Sequence, residues 1–181
     1  EYLRDVHPGE VIRIDLNGIT SDRYAKTCHR SMCSMEYVYF ARPDSDVEGI
    51  NVHQARKNCG RVLAKESHVE ADIVVGVPDS GLSAAIGYAE EANIPFEICM
   101  IKNKYIGRTF IQPSQELREQ GVKMKLSAVR SIVKDKRVIL IDDSIVRGTT
   151  SRRMVDMLRD AGAKEVHVRI ASPEIKFPCF Y

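Results

Sequence analysis

Residues 138–150 read VILIDDSIVRGTT: an apolar run, two adjacent acids, and then a turn rich in hydroxyls and glycine. Each part has a chemical use. A strand that ends in Asp142 and Asp143 presents both carboxylates beyond a sheet edge, where they can accept hydrogen bonds from sugar hydroxyls or help hold a hydrated Mg²⁺. The turn that follows, Ser144, Ile145, Val146, Arg147, Gly148, Thr149 and Thr150, offers hydroxyls and backbone N–H groups where a helix begins. Such a helix N-terminus suits a phosphate monoester. Gly148 permits close approach of the backbone. Taken alone, the acid pair could equally just end a strand, and Thr149 or Thr150 could simply cap the helix.

Two further segments have anion-binding character. In VGVPDSG, residues 75–81, a short strand runs into Pro78, Asp79, Ser80 and Gly81 ahead of a helix, so backbone N–H groups can again face an anion. Asp79 and Ser80 could instead be capping residues and nothing more. In KNKYIGRTFIQPSQ, residues 102–115, Lys102, Lys104 and Arg108 surround Tyr105 and Gly107, with Asn103 and Thr109 between and after them. The charge is too dense and the period too weak for a buried element. The segment reads as a mobile basic loop, or more simply as a solvated one. Five cysteines, Cys28, Cys33, Cys59, Cys99 and Cys179, form no CxxC pair, which argues for reduced thiols rather than a disulfide framework. His29, His53, His68 and His167 have no ligand spacing.

These residues must be positioned by an α/β framework. Apolar IVVGV (73–77), FEICMI (96–101), VILI (138–141) and EVHVRIAS (165–172) read as strands, separated by stretches of helical period. One such stretch carries Val52, Ala55, Cys59, Val62 and Leu63, a second runs from about Gly81 to Asn93, and a third carries Met154, Val155, Met157, Leu158 and Ala161 before the stop at Gly162. Parallel strands joined by helices bring their loops to one crevice at the C-terminal edge of the sheet. Ahead of this body, GEVIRIDLNGIT (9–20) alternates around Asn17-Gly18 and predicts a β-hairpin, and the break between the two parts falls near Met35. A net charge of +2 with dispersed basic residues points to neither nucleic acid nor a membrane surface as partner. No apolar run reaches the roughly 20 residues of a membrane span and no signal pattern opens the chain, so a cytoplasmic protein is expected. A chain opening at Glu1 and closing on Cys179, Phe180 and Tyr181 reads as a piece of a longer one.

The 138–150 string resembles the phosphoribosyl diphosphate (PRPP) signature of type I phosphoribosyltransferases, and its SIVRGTT ending is similar to the glutamine-dependent amidophosphoribosyltransferase version. CSMEYVYFARPDS (33–45), VGVPDSG, KNKYIGRTFIQPSQ and AGAKEVHVRIASPEIKFPCFY (161–181) extend that resemblance over nearly the whole chain. The resemblance implies a type I phosphoribosyltransferase fold over residues 37–181, a mainly parallel sheet flanked by helices, preceded in 1–36 by the last strands and linker of a glutaminase domain. It implies transfer of ammonia to C1 of PRPP, giving 5-phosphoribosylamine and pyrophosphate in purine synthesis. The glutaminase nucleophile would be missing.

By the same resemblance, Pro78 to Gly81 form the pyrophosphate loop, Asp142 to Thr150 bind the ribose and 5′-phosphate, and Ser80 joins Asp142 and Asp143 around Mg²⁺. The basic loop, Lys102, Asn103, Lys104, Tyr105, Gly107, Arg108 and Thr109, closes over PRPP and shields it from water. Lys104 stands where the family often has arginine, which keeps the charge and loses the bidentate fork. One branch of the family carries a [4Fe–4S] cluster on four cysteines. Cys33 and Cys179 match two of those positions, so this length of chain alone is not expected to hold one. Purine nucleotides are implied as feedback ligands, and the full-length protein as a homo-oligomer. Two rivals share the signature: a PRPP-sensing regulator, which would add a nucleic-acid surface, and a base-salvage enzyme, which would need a base-recognition hood.

Overall fold

The computed structural model describes residues 3–25, 28–103, 126–146, 148–177 and 179. The chain divides into two compact units, Glu1–Ser34 and Met35–Tyr181. In the first, β1 (Glu10–Asp15) and β2 (Gly18–Arg23) form an antiparallel hairpin with Ile14 opposite Ile19 and Asp15 opposite Gly18. The two-residue loop is therefore Leu16-Asn17, one residue ahead of the Asn17-Gly18 step read from the sequence. The Asp15 carboxylate sets this register by accepting the Asn17 N–H at 2.8 Å, and Gly18 takes up a φ of 119° at the start of β2.

The second unit opens with a wide helical turn, Glu36–Phe40, closed by the Ala41 N–H on the Glu36 carbonyl, and a short ribbon of β3 (Asp46–Val47) and β4 (Ile50–Asn51). The Asn51 side chain caps α1 (Val52–Glu66) by accepting the Gln54 N–H. Then come β5 (Ile73–Gly76), α2 (Leu82–Ala92), β6 (Met100–Lys102), β7 (Leu126–Ala128), α3 (Arg130–Val133), β8 (Arg137–Asp142), α4 (Thr149–Asp160) and β9 (Glu165–Ile170). The sheet is parallel, in the order β5-β8-β9. Alternation along its buried strands feeds two cores. Ile73, Val75, Val138 and Leu140 face Met154 and Leu158 of α4, while Val74, Ile139 and Ile141 face Ala84, Ala85 and Tyr88 of α2. Helices thus cover both faces, as an α/β sheet of buried apolar strands requires.

Two expectations need correction. FEICMI does not form a full strand of this sheet: Val74 donates to the Pro95 carbonyl and accepts from the Glu97 N–H, giving one parallel bridge at Phe96, after which the chain turns away. Met100–Lys102 pairs instead with β7 in an antiparallel ribbon. The buried row of α1 is Val52, Arg56, Gly60 and Ala64 rather than the Val52, Ala55, Cys59, Val62 row, and both Cys59 and Val62 are exposed. Close crossing of α1 over α2 selects that row. A Cβ on Gly60 would sit 1.9 Å from the Ala84 carbonyl oxygen, and one on Gly87 would sit 1.9 Å from that of Lys57. Either alanine would force the helices apart. Among the described residues no helix is long and apolar enough to cross a membrane.

Candidate functional site

Loops after β5 and β8 meet at the C-terminal edge of the sheet. The Val77 N–H donates to the Ile141 carbonyl at 2.9 Å, and Gly81 packs so closely on the same carbonyl that a Cβ would lie 2.5 Å from its oxygen. Only glycine lets the 78–81 loop reach the end of β8. The Pro78–Asp79 peptide is cis. Gly81 itself is the N-cap of α2 and makes no side-chain cap, so neither Asp79 nor Ser80 is spent on capping.

Asp142 and Asp143 are both buried, at 8% and 7% exposure. β9 fixes their backbone: the Ala171 N–H donates to the Asp142 carbonyl and the Ser172 N–H to that of Asp143, each at 2.9 Å. The Asp142 carboxylate accepts the Asp143 N–H at 3.0 Å, and the Asp143 carboxylate accepts the Ser144 hydroxyl at 2.5 Å. Burial, reinforced by the neighbouring Asp143 charge and partly offset by that N–H, pushes the Asp142 carboxyl up to about 6. Two desolvated acids side by side call for a cation. The donor set fits Mg²⁺, which is commonly held through one or two carboxylates with water and substrate phosphate completing its octahedron. Ser80 lines a small cavity together with Asp143, Arg56, Tyr37 and Ser172.

Beyond the acids, Ile145 and Val146 are exposed, and Gly148, at φ 71°, is the N-cap of α4. Among the described residues no side chain caps this helix, and Thr149 and Thr150 lie exposed in its first turn. The first-turn N–H groups of the helix thus have no side-chain cap among the described residues. Lys102 closes β6, with its ammonium 2.9 Å from the Asp79 carboxylate, and partly buried Asn103 follows. Lys104, Tyr105, Gly107, Arg108, Thr109 and Arg147 lie outside the described residues.

Sequence reasoning passed over Arg56. It is 5% exposed on the inner row of α1, with Nε donating to the Tyr37 carbonyl at 2.6 Å and Nη2 to the Ala41 carbonyl at 2.9 Å. Burial lowers its pKa, while the Asp143 charge opposes that. A charged residue recurring every fourth position with Val52, Gly60 and Ala64 was the available signal. Cys33 belongs to the first unit and Cys179 to the second, and both are exposed. Cys99 is buried, which pushes its thiol up to about 12. Among the described residues no group of three or more His, Cys, Asp or Glu side chains could hold a metal ion.

A family model described as Phosphoribosyl transferase domain matches residues 47–172. The amidophosphoribosyltransferase of Bacillus subtilis (strain 168) is 67% identical over 180 residues, 99% of this chain and 38% of that protein. That of Staphylococcus aureus (strain MRSA252) is 59% identical over 181 residues, 100% of this chain and 37% of that protein. The chain thus spans less than two fifths of the length of these relatives. A solved structure of the allosteric regulatory enzyme of purine biosynthesis superposes with a TM-score of 0.87 at 67% identity, covering 99% of this chain and 39% of that one. The glutamine phosphoribosylpyrophosphate (PRPP) amidotransferase from B. subtilis complexed with ADP and GMP gives a TM-score of 0.86 at 67% identity, covering 99% and 40%.

Proposed function

The chain belongs to the phosphoribosyl transferase domain family, and from that premise we propose that it performs the ribosyl half of the amidophosphoribosyltransferase reaction: ammonia displaces pyrophosphate from C1 of PRPP to give 5-phosphoribosylamine. The observation that carries this reading is the end of β8, where two buried carboxylates lie between the 78–81 loop and the uncapped N-terminus of α4. In this assignment the α4 N–H groups, with Thr149 and Thr150, hold the 5′-phosphate. Asp142 and Asp143 accept the ribose hydroxyls and fix the ring, and the backbone of Pro78 to Gly81 takes the departing pyrophosphate. Mg²⁺ held by Asp142, Asp143 and Ser80 would supply neutralising charge to that leaving group. The chain forms no covalent bond to the sugar, so rate comes from positioning and from donors aimed at the charge that develops as C1 becomes cationic. Lys102, Asn103 and the residues up to Thr109 supply cations and exclude water. Purine nucleotides, which share the ribose 5-phosphate unit, would occupy the same phosphate turn, and the ADP and GMP bound to the B. subtilis relative support that extension.

The test is direct. Ammonium, PRPP and Mg²⁺ are expected to yield pyrophosphate with the 181-residue protein, read by a coupled phosphate assay, and glutamine is expected not to replace ammonium. Absence of ammonia-dependent pyrophosphate release, with the protein folded and PRPP bound, would remove the catalytic reading. A cytoplasmic setting goes with this biosynthetic reading. The finer assignment, to the iron–sulfur branch, rests on Cys33 and Cys179 alone. Two thiolates fall short of the usual four, so the 181-residue protein, purified without oxygen, is expected to be colourless and iron-free. Stoichiometric iron with charge-transfer absorbance would show that Cys28, Cys59 or Cys99 is a ligand.

A further inference from the structure

The pair formed by Asp79 and Lys102 sets a carboxylate in the middle of a loop that otherwise favours anions. Asp79 stands between Pro78 and Ser80, just ahead of the uncapped N-terminus of α2. Its carboxylate lies 2.9 Å from the Lys102 ammonium, which is brought there by the end of β6. Both side chains remain well exposed, Asp79 at 75% and Lys102 at 44%, so neither is locked by packing. An exposed pair of this kind adds little to stability. Its position is what matters: the loop carries a negative charge of its own, and the cation beside it is already engaged.

Resting on the reading of residues 78–81 as the pyrophosphate loop, we propose that Asp79 is a specificity-determining residue that acts as an internal competitor for pyrophosphate. Its carboxylate holds Lys102 at the mouth of the site and repels the incoming polyanion, which binds by taking Lys102 over. Two consequences separate this from a passive surface pair. Lys102 adds little net affinity while Asp79 is charged, because each bond it makes to the ligand replaces one to Asp79. Once Asp79 is neutral, the same lysine contributes fully. Ligands bearing a single phosphate, read by the 144–150 turn, are indifferent to the exchange.

Calorimetry on the 181-residue protein tests this with three probes: inorganic pyrophosphate with Mg²⁺, PRPP with Mg²⁺, and ribose 5-phosphate. Asp79→Asn is expected to tighten inorganic pyrophosphate roughly fivefold at low salt, the effect of removing one like charge at close range in a watery site. The gain should shrink at about 0.5 M salt, and ribose 5-phosphate affinity should not change. Lys102→Met is expected to cost less than about twofold in the parent and roughly fivefold in the Asp79→Asn background, a non-additivity that a passive pair does not produce. Asp79→Ser repeats the charge removal without an amide, and thermal unfolding confirms that each variant is folded. Unchanged or weaker pyrophosphate binding in both Asp79 variants, or additive effects of Lys102→Met, overturns the inference while the parent still binds PRPP. A parent that binds neither pyrophosphate nor PRPP overturns the reading of the loop, and this inference with it.

Discussion

Asp142→Asn combined with Asp143→Asn is expected to weaken Mg²⁺–PRPP binding by at least about 100-fold. A hydrogen bond from a sugar hydroxyl to a carboxylate contributes roughly 1.5–3 kcal/mol when the acceptor is ionised and desolvated, and two of them correspond to a factor of 100 or more in affinity. Both acids are buried, so water cannot replace them as acceptors once a ligand closes the site. The isosteric amides keep the shape and the two backbone bonds from Ala171 and Ser172, which attach to main-chain carbonyls. Lost affinity would therefore report charge rather than folding. Calorimetry with Mg²⁺–PRPP is the measurement, and binding as tight as the parent's would mean that the acid pair merely ends a strand.

The candidate site is legible in the sequence because its parts are local. An apolar run, two acids and a glycine-containing turn are contiguous from Val138 to Thr150, and the strand, the acid pair and the uncapped helix start all follow in that order. Interactions that bridge distant parts of the chain were not legible. Arg56 reads as one more polar residue on a helix until the Tyr37 and Ala41 carbonyls are seen to receive its guanidinium. The buried row of α1 departs from its most hydrophobic row for a related reason. Hydrophobicity favours Val62 for the inside, but a helix crossing this close admits Gly60 instead, and only the partner helix says so. FEICMI is nearly as apolar as VILI, yet the first meets the sheet at a single bridge while the second lies within a strand paired over six residues, because neighbouring strands rather than composition decide pairing. Pairing of Asp79 with Lys102 likewise joins two segments that the sequence presented as separate anion sites.

The single change Asp142→Asn is expected to do the opposite of what its place in the site suggests, and stabilise the ligand-free protein by about 3 kcal/mol at pH 7. An Asp carboxyl raised from 3.8 to about 6 in the folded state holds its proton more tightly there than in the unfolded chain. Folding then takes up a proton between those two values, so stability is greatest below pH 4 and falls as pH rises through about 6, by roughly 1.4 kcal/mol for each pKa unit. At pH 7 the folded protein bears the full cost of a buried charge beside Asp143. Asparagine removes that charge, and its side-chain oxygen can still accept the Asp143 N–H. Asp72, held down at about 2 by hydrogen bonds from Arg137, works in the other sense and destabilises only below pH 4, where it is the same in both proteins. Urea unfolding at pH 7 and at pH 4, with chelator present, isolates the difference: a gap of about 3 kcal/mol at pH 7 should nearly close at pH 4. Adding Mg²⁺ and PRPP should then reverse the ranking at pH 7, because only the parent can convert the stored repulsion into binding. Equal stabilities at pH 7 would mean that the Asp142 charge is already compensated in the ligand-free protein.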